Sequence, residues 1–573
     1  MSNSKDIIWQ IKDDPPAAPW LATKVGISKL LASLLIHRNI SSPDSAKSFL
    51  SPRLGALRDP FLLKDMDRAV ELIASFIAEK KRITIYGDYD ADGLTATALL
   101  VNFFSRLDTP ISFYIPHRLE EGYSLNEEAI RKIAADNPGL IITVDCGINS
   151  LPEIALAKRH GMEVIVTDHH QLPPEFEPIC PTINPLRPDS SFPFRELSGV
   201  GLAFYLAIAI RSHLREGGFF ESRGEPDLKD YLDLVALGTV ADIVPLIEEN
   251  RILVKSGLKM LIDSRRSGIQ ALSKLCGIKK DQIMTTDDIA FRLAPRLNAM
   301  GRLGSATRAV HLLTTDNETE ASLIATQMDA LNAQRQAIES RIISESKQGI
   351  EKMGDLEGRR TIVLFDPRWH RGVVGIVASK IVEEYCRPTL ILNLEGDLLK
   401  GSGRSIDGFD LYQALSDLSG LLKQFGGHDH AAGVTLESQK IGEFCDRFEE
   451  IASKRIDLKD MTPRIEVDAR VGLESINPQI LKEIELLLPF GHKNPQPIFW
   501  AGPSKVISSR VVGKDHLKLK IREKGITLDC IAFGKGEFHP LEGKSVDILF
   551  HVGTNTWQGV ESIQLVIVDL RLN

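Results

Sequence analysis

The sequence is poor in cysteine, and the cysteine positions exclude two common kinds of site. Only six cysteines occur in 573 residues, and no two of them form a Cys-x-x-Cys pair. A disulfide framework or a thiolate zinc site is therefore not expected, and the pattern is typical of a reducing cytosol. We interpret all six as small buried hydrophobic residues.

The chain also lacks a long apolar run and a targeting segment. The longest apolar stretch, 200–210, is about half of what a bilayer span requires, so it predicts a buried helix. The N-terminus shows no basic region followed by an apolar run, so no signal peptide is expected. Together with the cysteine pattern, these absences predict a cytoplasmic protein without a membrane partner.

An excess of positive charge is missing as well. The formal net charge is −8, which by itself gives no sign of a nucleic-acid partner. Apolar residues make up 43% and charged residues 25%, a composition typical of globular proteins. If the protein binds nucleic acid, its acidic residues must gather at one site while basic residues line another.

What the chain does contain is a regular alternation of strand-like and helix-like segments. Because 573 residues are too many for one hydrophobic core, three or four domains are expected. After residue 60 the alternation predicts βαβ units and a parallel sheet. The predicted strands are 83–86, 111–115, 140–144 and 164–167, and the predicted helices are 94–106, 126–136, 150–160, 199–211 and 231–247.

The second half of the chain changes character twice. A polar stretch with almost no helix breakers predicts a long connecting helix, and a β-rich pattern near the C-terminus is typical of a small OB-type barrel. The predicted division is an N-terminal segment over 1–60, a catalytic domain over 61–315, the connecting helix over 316–355, a second α/β domain over 356–457 and the barrel over 458–573.

The strongest chemical signal is an aspartate-rich segment. Asp88, Asp90 and Asp92 directly follow the first predicted strand and precede a glycine that opens a helix. Asp145 and Asp168 follow two further predicted strands, and Asp168 begins an Asp-His-His run. Because the carboxyl ends of parallel strands share one edge of a sheet, where ligands bind, these side chains are expected to converge.

Converging carboxylates need a counter-charge, because they cannot all stay ionised without large pKa shifts. A mixed carboxylate and imidazole set favours Mn²⁺ or Mg²⁺ over zinc, and paired metals are a known arrangement for phosphodiester hydrolysis. Asp242 stands in the nearly all-apolar stretch 234–246, where a lone carboxylate is costly unless paired or metal-bound. It is a candidate fifth carboxylate, with a buried helix cap as the alternative.

Three other readings of these residues are weaker. An EF-hand loop would require a glutamate at its twelfth position, where Leu99 stands. A solvated acidic turn explains the triple-aspartate segment alone but not the recurrence at Asp145 and Asp168. A nucleotide-binding P-loop fails because six residues separate Gly536 from Gly543, where the motif has four.

Ordered motifs along the chain resemble one superfamily. They include Gly87-Asp-Tyr-Asp-Ala-Asp-Gly93, Val144-Asp-Cys-Gly-Ile148, Asp168-His-His, Gly238-Thr-Val-Ala-Asp-Ile243, Trp369-His-Arg-Gly, Gly401-Ser-Gly-Arg-Ser405 and Gly426-Gly-His-Asp-His430. Together they resemble the DHH phosphoesterase superfamily and, within it, the bacterial single-strand-specific exonucleases, over about residues 60–535. The implied fold class is α/β: a DHH-type parallel-sheet domain, a long helix, a DHH-associated α/β domain and a C-terminal OB-like β-barrel.

The resemblance also implies roles for particular residues. Two Mn²⁺ or Mg²⁺ ions per site would be held by Asp90, Asp92, Asp145, His169 and Asp242. The supporting or phosphate-contacting catalytic residues would be Asp88, Asp168 and His170. The substrate-binding residues would be Arg118, Arg296, Arg302, Arg404 and His428. Each of these residues also has a simpler alternative. His170 could serve only as a partner of Asp168, and His428 could be a structural residue of a turn. The arginines could lie on the surface or in ion pairs.

Two positions depart from the superfamily pattern. Tyr86 stands where many members outside this exonuclease family have a metal-binding histidine, which implies one fewer nitrogen ligand. Lys493 replaces a usual glycine in the motif Pro489-Phe-Gly-His-Lys-Asn-Pro495. The conformation of the turn at Lys493 is therefore left open, since glycine often marks a positive φ. Residues 510–524 carry alternating cations that would share one face of a strand, either as a track for a DNA backbone or as a solvated edge.

The function implied by the resemblance is 5′-to-3′ hydrolysis of single-stranded DNA in repair and recombination, by a two-metal mechanism. The expected partners are single-stranded DNA, a helicase and a single-strand-binding protein. Two alternatives remain: a small-substrate DHH phosphodiesterase acting on dinucleotides or very short RNA, and a catalytically silent nucleic-acid-binding scaffold.

Overall fold

The architecture was obtained from a computed structural model. It describes residues 7–118, 120–136, 138–279, 282–354, 356, 358–557 and 560–573. Among these residues no single helix is long and apolar enough to cross a membrane. One bent pair of helices, Ala18–Val25 with Lys29–Ile36, has the length and composition of a membrane span. All six cysteines are unpaired.

The first domain is built on a five-stranded parallel sheet in the order β3-β2-β4-β5-β6. Its central strands β2 and β4 are buried at every residue, as expected for a parallel sheet covered on both faces. Its elements are α4 Met66–Ala78, β2 Ile83–Gly87, α5 Ala91–Arg106, β3 Ile111–Tyr114, α6 Glu127–Asp136, β4 Leu140–Val144, α7 Leu151–Arg159, β5 Glu163–Thr167 and β6 Thr182–Ile183.

Helices complete this domain and lead out of it. The apolar stretch near residue 200 forms α8, which is largely buried against α5, and α9 packs beside both. The helices are α8 Gly199–Glu216, α9 Leu232–Ala241, α10 Glu248–Ile262, α11 Ser267–Leu275, the single turn α12 Thr286–Asp288, α13 Ala294–Leu303, α14 Thr307–Thr314 and α15 Glu318–Lys352. A π-helix, Ile289–Leu293, precedes α13. At the end of α9, the predicted helix 231–247 gives way to a loop at Asp242.

The second domain follows the long helix α15. It contains a mixed five-stranded sheet in the order β10-β11-β9-β8-β7, in which only β7 and β8 pair in parallel. Its elements are β7 Ile362–Phe365, α16 Arg371–Tyr385, β8 Thr389–Glu395, β9 Leu398–Arg404, α17 Leu411–Asp417, β10 Leu422–Gly427, β11 Ala431–Glu437 and α18 Ile441–Arg455.

The C-terminal domain is a closed β-barrel. Its long strand β14 pairs with both β15 and β17, so the sheet β14-β15-β16-β18-β17 closes on itself, which confirms the predicted OB-like barrel. Its elements are β12 Arg464–Val467, β13 Ala469–Arg470, α19 Pro478–Leu486, β14 Phe499–Val512, β15 His516–Glu523, β16 Ile526–Ala532, β17 Ser545–Trp557 and β18 Val560–Leu572.

The N-terminal segment packs on this barrel, and it also contacts the domain that follows it in sequence, where Arg251 of α10 donates to the carbonyl oxygen of Phe49 at 2.9 Å. Leu21, Leu31 and Leu35 share one buried cluster with barrel residues such as Phe550. The first strand of the chain also pairs in parallel with β12. The N-terminal elements are β1 Ile8–Ile11, α1 Ala18–Val25, α2 Lys29–Ile36 and α3 Pro43–Leu50.

Candidate metal centre and substrate cavities

The predicted aspartates lie at the point where the strand order of the parallel sheet reverses. Strand β2 has β3 on one side and β4 on the other, so the loops after β2 and β4 diverge and leave a crevice. Asp88 follows β2, Asp145 follows β4, and Asp168 follows β5. Ligands of open α/β sheets bind at such a switch point.

The turn after β2 is shaped by local hydrogen bonding. Asp90 caps α5, and its Oδ1 accepts hydrogen bonds from the backbone N–H groups of Asp92 and Gly93 at 3.1 and 3.2 Å. A side chain at position 93 would place Cβ 2.7 Å from the backbone of Asp88. Only glycine therefore allows the turn to fold back on itself and bring the three aspartates together.

Three overlapping groups of described side chains could each hold a cation. Their ligand atoms lie within 4.8 Å of one another in each group. His169 Nε2 lies 3.0 Å from Asp145 Oδ1 and 3.6 Å from Asp242 Oδ2, so it connects the groups. The first group is Asp88, Asp90 and Asp145, the second is Asp92, His169 and Asp242, and the third is Asp145, His169 and His170.

Backbone amides fix one of these carboxylates. Asp92 accepts hydrogen bonds from the N–H groups of Gly199 and Val200, at 2.6 and 2.9 Å, where α8 begins. A Cβ on Gly199 would lie 2.6 Å from the Cβ of Asp145. The start of α8 therefore packs directly against the acidic centre, and position 199 has room only for glycine.

Burial and mutual repulsion raise the pKa values of these carboxyl groups. Burial, with the charge of Asp90, holds the pKa of Asp88 well above its ordinary value, and burial with Asp92 does the same for Asp145. Burial and repulsion from Asp242 raise the pKa of Asp92 to about 7. Burial and the charge of Asp90 raise the pKa of Asp242 to about 8. Without metal, full ionisation of these four carboxyl groups is therefore unfavourable.

Four buried atoms of the centre make no hydrogen bond, which tests whether a metal fits. They are Asp88 Oδ1, Asp145 Oδ1, His169 Nε2 and Asp242 Oδ2. Burial, with the charge of His170, lowers the pKa of His169 and favours the neutral imidazole that binds metals. Buried polar atoms without partners are costly, and divalent cations held by these groups would satisfy all four. The donor set of carboxylates and one imidazole fits Mn²⁺ or Mg²⁺.

Asp168 and His170 form a separate pair beside this centre. Asp168 Oδ1 accepts from the backbone N–H of His170 at 3.0 Å and lies 2.7 Å from its Nδ1, while its Oδ2 accepts from the N–H of Ile148 at 2.9 Å. Burial would raise the pKa of Asp168, but His170 outweighs it and lowers the pKa. Burial would lower the pKa of His170, but Asp168 outweighs it and raises the pKa to about 9. Both oxygens of Asp168 are therefore occupied.

A cavity of about 530 Å³ between the first and second domains holds a surplus of positive charge. Arg118 lines it and lies over the ring of Tyr89 at 4.9 Å. Burial, with the charge of Arg118, lowers the pKa of Arg302 to about 10 and also lowers the pKa of Arg404. These three predicted arginines therefore lie near one another, an arrangement that favours an anion.

Arg296 and His428 have other surroundings. Arg296 is paired with Asp329 of α15, with Nη2 2.7 Å from Oδ1, and donates to the backbone oxygen of Arg292 at 2.6 Å. Arg296 therefore lies in an ion pair, which was the alternative to a substrate-binding role. His428 is exposed at the turn between β10 and β11, two strands that line the cavity, and its Nδ1 lies 3.2 Å from Asp429.

Several residues around this cavity were not predicted from the sequence. Tyr123 contacts the acidic centre, with its hydroxyl 3.3 Å from His170 Nδ1 and 3.4 Å from the carbonyl oxygen of Asp145. Arg371 and Lys400 line the same cavity. Arg371 lies inside the Trp369-His-Arg-Gly motif, so the motif held a signal for it. Tyr123 follows a loop glycine and carried no such signal.

The two departures from the superfamily pattern have structural explanations. Tyr86 is fully buried and its hydroxyl donates to the backbone oxygen of Ser124 at 3.0 Å, so it belongs to the core. Lys493 has φ 56°, the left-handed region in which glycine is favoured, and its Nζ lies 2.7 Å from Glu196. The turn therefore has the conformation that a glycine would favour.

The basic residues of β15 point away from the barrel core, as predicted from alternation. Leu517, Leu519 and Ile521 are buried between them. Several of these cations already have partners: Lys524 lies 2.8 Å from Glu474, and Arg522 donates to Thr527 at 3.0 Å.

Domain families match the chain in the predicted order. The DHH family, N-terminal domain, matches residues 82–239, the DHHA1 domain matches 358–454, and the RecJ OB domain matches 467–569. The acidic switch point lies within the first match and the basic cavity borders the second. Fold and site together therefore define a DHH-class protein with a DHHA1 domain and a C-terminal OB domain.

Comparison with individual proteins identifies one family within this class. The chain is 38% identical over 568 residues to the single-stranded-DNA-specific exonuclease RecJ of Bacillus subtilis (strain 168), covering 98% of this chain and 70% of that protein. Crystal structures of RecJ from Thermus thermophilus in complex with Mn²⁺ and with Mg²⁺ are 31% and 30% identical, with TM-scores of 0.83 and 0.77. They cover 100% and 99% of this chain and 80% and 78% of those chains. The chain belongs to the RecJ family.

Proposed function

We propose that this protein hydrolyses single-stranded DNA from the 5′ end toward the 3′ end, with two divalent cations per site, in DNA repair and recombination. The observation that supports the chemistry most directly is the set of four unsatisfied, buried ligand atoms around His169. Membership of the RecJ family supports the substrate, because the relatives are named for action on single-stranded DNA.

Six side chains would hold the metals. Asp145 lies in the first group and 3.0 Å from His169 of the second, so its side chain belongs to both parts of the site. Asp88, for which the resemblance implies only support, has an unsatisfied Oδ1 and is included here as a ligand. The set is Asp88, Asp90, Asp92, Asp145, His169 and Asp242. When bound, the cations polarise the phosphate and lower the pKa of an attacking water.

Asp168 and His170 would act as a pair beside the metals. Because Asp168 holds His170 through Nδ1, the ring is fixed, and its Nε2, which lies 3.4 Å from the Tyr123 hydroxyl, would donate a hydrogen bond to a phosphate oxygen. Asp168 belongs to none of the candidate ligand groups among the described residues, so we assign it a positioning role. A fixed donor aimed at developing charge stabilises a transition state without reorganisation.

The basic cavity would bind the 5′-terminal phosphate and set the polarity. Arg118, Arg302 and Arg404 are its candidates, because guanidinium groups engage phosphate oxygens two at a time. Lys400 and Arg371 line the same cavity but share Glu395 as an ion-pair partner, at 3.0 and 3.5 Å, so we do not assign the phosphate to them. His428 stands at the hairpin that borders the cavity. Arg296 is left out of this pocket because Asp329 already occupies its guanidinium group.

A helicase and a single-strand-binding protein are proposed as partners, because a single strand must be supplied and is held by such proteins before digestion. A cytoplasmic location is proposed from the six unpaired cysteines. Pull-down with a candidate helicase would test the partner, and fractionation would test the location.

The test of the function uses single-stranded and double-stranded DNA labelled at either end, with Mn²⁺ or Mg²⁺, and products resolved over time. The expected result is loss of label from a 5′ end before a 3′ end, on single strands only and only with metal. Release of the 3′ label first would refute the polarity. Cleavage confined to dinucleotides would favour a small-substrate phosphodiesterase, and no cleavage would favour a silent scaffold.

A further inference from the structure

One turn of the C-terminal domain lies against the loop that carries Asp242. It connects α19 with β14 over residues 489–495, and we name it the C-terminal turn. His492 of this turn places Nδ1 2.9 Å from the carbonyl oxygen of Ile243, which directly follows Asp242. Because a carbonyl oxygen only accepts, Nδ1 is the donor. The carbonyl oxygen of His492 accepts in turn from the N–H of Leu246 at 2.9 Å. A residue of another domain therefore holds the loop at both ends.

The loop needs this support because its backbone is strained at Ile243. Ile243 has φ 61°, in the left-handed region that a β-branched residue rarely adopts. Such strain persists only where surrounding contacts impose it, and it clusters at functional sites. The side chain of Ile243 is 71% exposed, so its packing contributes little to the constraint. The hydrogen bonds with His492 therefore supply much of it.

The position of the Asp242 carboxylate depends on this loop. Asp242 is the C-cap residue of α9, and the strained residue follows it directly. Its Oδ2 lies 3.6 Å from His169 Nε2 and is one of the buried atoms without a hydrogen bond. A metal ligand must be placed to within about 0.5 Å. Relaxation of the backbone at Ile243 would therefore be enough to weaken the site.

The C-terminal turn also contacts the segment that leads into α8. Lys493 Nζ lies 2.7 Å from Glu196 Oε1. The side chain of Asn250 ties this segment to the loop after α9, because it donates to the carbonyl oxygens of Glu196 and Pro245 at 2.5 and 3.0 Å. Three residues after Glu196, α8 begins with the amides that bind Asp92. The turn therefore contacts both segments that place carboxylates of the second ligand group.

The C-terminal turn is itself firmly held, so it can fix the position of what it contacts. Gly491 and Asn494 exchange backbone hydrogen bonds at 2.9 and 3.0 Å. The buried side chain of Asn494 donates to the carbonyl oxygen of Leu487 at 2.8 Å. Arg251 of α10 donates to the same oxygen at 2.8 Å. The turn is therefore anchored in its own domain and on the first domain, and it presents His492 from a fixed frame.

We propose that His492 is a positioning residue for one of the two cation sites. Its hydrogen bond to the carbonyl oxygen of Ile243 holds the loop that directs Asp242 at that site. The first ligand group follows β2 and β4 inside the first domain, so loss of His492 weakens one site and spares the other. This inference rests on the proposed function, because it needs the two cations of that function.

The experiment is a titration of the full-length, DNA-free protein with Mn²⁺ by isothermal titration calorimetry. His492→Ala removes the donor, and His492→Asn keeps a side-chain N–H. His551→Ala is the matched control, because His551 Nδ1 lies 2.8 Å from the carbonyl oxygen of Pro497 in the same domain. Asp242→Asn and the double variant Asp242→Asn/His492→Ala identify the site that is affected. The Mn²⁺ dependence of single-strand cleavage is measured in parallel.

If His492 positions Asp242, His492→Ala binds one Mn²⁺ about ten-fold more weakly, the lower range for a residue that orients a metal ligand, and keeps the Kd of the other within about two-fold. His492→Asn recovers most of the loss, and His551→Ala matches wild type. In the Asp242→Asn background His492→Ala adds no further loss, because effects of residues that act through one another are not additive. The Mn²⁺ concentration for half-maximal cleavage rises in His492→Ala, while the rate at saturating Mn²⁺ stays near the wild-type rate.

Wild-type affinities at both sites in His492→Ala would overturn the positioning role. Equal weakening of both sites would overturn it too, since it would indicate a general loss of structure. So would a further loss in the double variant, or a His492→Asn variant as weak as His492→Ala. If wild type binds fewer than two Mn²⁺ ions or cleaves no single strand, the proposed function itself fails. Two bound ions and cleavage in wild type, with an unaltered His492→Ala, would refute only the role of His492.

Discussion

The acidic centre and the basic strand β15 place charge in opposite environments. In the centre, Asp88 and Asp145 are buried and each has an oxygen without a hydrogen-bond partner. On β15, Lys520 and Arg522 are exposed, and Lys524, which follows the strand, already pairs with Glu474. Buried charge without partners is unstable unless a ligand supplies the missing contacts, whereas solvated charge needs none. The first region therefore implies a ligand, and the second only permits one.

The largest expected effect tests the acidic side of this comparison. Asp145→Ala should lower cleavage about 100-fold or more, because one fixed electrostatic contact is typically worth that much in a transition state. The metal-free protein should melt no lower than wild type, since removing a buried carboxylate relieves repulsion. Nuclease assays and thermal melting are run together, with Asp316→Ala, an exposed aspartate, as the control. Activity above about a tenth of wild type would count against Asp145 as a ligand.

Metal and pH should act on stability through the same groups. The pKa values of Asp92 and Asp242 are raised to about 7 and about 8 from 3.8. A carboxyl group with a raised folded-state pKa stabilises the fold below pH 4 and loses that stabilisation as pH rises toward its folded pKa. The metal-free protein should therefore lose stability between about pH 4 and pH 8.

Mn²⁺ at about 100 times its Kd should add about 2.7 kcal/mol to the free energy of unfolding at neutral pH. Asp242→Asn should reduce that increment, because it removes one ligand. Melting curves with and without Mn²⁺ across this pH range measure both effects. An unchanged increment in the variant would remove Asp242 from the site.

The arginines sharpen the comparison by setting Arg404, which donates to the uncharged Ser402 hydroxyl and Gly403 carbonyl oxygen, against Arg296, which is ion-paired with Asp329. Arg404→Ala should reduce the preference for a 5′-phosphorylated strand about ten-fold, the value of one charge-assisted hydrogen bond. Arg296→Ala should leave that preference at the wild-type value, because Asp329 already holds its guanidinium group. Competition between phosphorylated and unphosphorylated strands measures it. Equal losses in both variants would mean that the pocket extends to Arg296.

The smallest effect is expected on β15. If this strand tracks the DNA backbone, Lys518→Ala should reduce the slope of log affinity against log salt by about 0.7, the value for one phosphate contact on a single strand. Lys524→Ala should change the slope less, because Lys524 is paired with Glu474. Titrations at several salt concentrations measure both slopes. Wild-type slopes in both variants would leave β15 a solvated face only.

Local patterns predicted much of the fold and most of the acidic centre. Strand β4 has the predicted bounds, and the aspartates that follow β2, β4 and β5 converge because parallel strands share an edge. Asp242 is the C-cap residue of α9, as the helix-cap alternative expected, and its carboxylate also lies 3.6 Å from His169 Nε2. Its role as a metal ligand stays a prediction.

The arginines show where such patterns stop. Arg296 and Arg302 lie in one motif of the resemblance, Pro295-Arg-Leu-Asn-Ala-Met-Gly-Arg302, and in the same helix α13, but six residues correspond to a rotation of about 240° around a helix axis. They therefore face different neighbours. Arg296 meets Asp329 of α15, while the Nη1 of Arg302 donates to the carbonyl oxygen of Gly372 in the second domain. Their sequence motif could not separate these two environments.

The sequence by itself determined the parallel sheet, the barrel and the acidic residues at the strand ends, because these depend on periodicity and on order along the chain. Only the tertiary structure decided which distant segments of the chain pack against each other. The N-terminal helices pack on the C-terminal barrel, and His492 of that domain holds the strained loop at Ile243. Such contacts join residues far apart in the chain, and no local pattern records a partner at that separation.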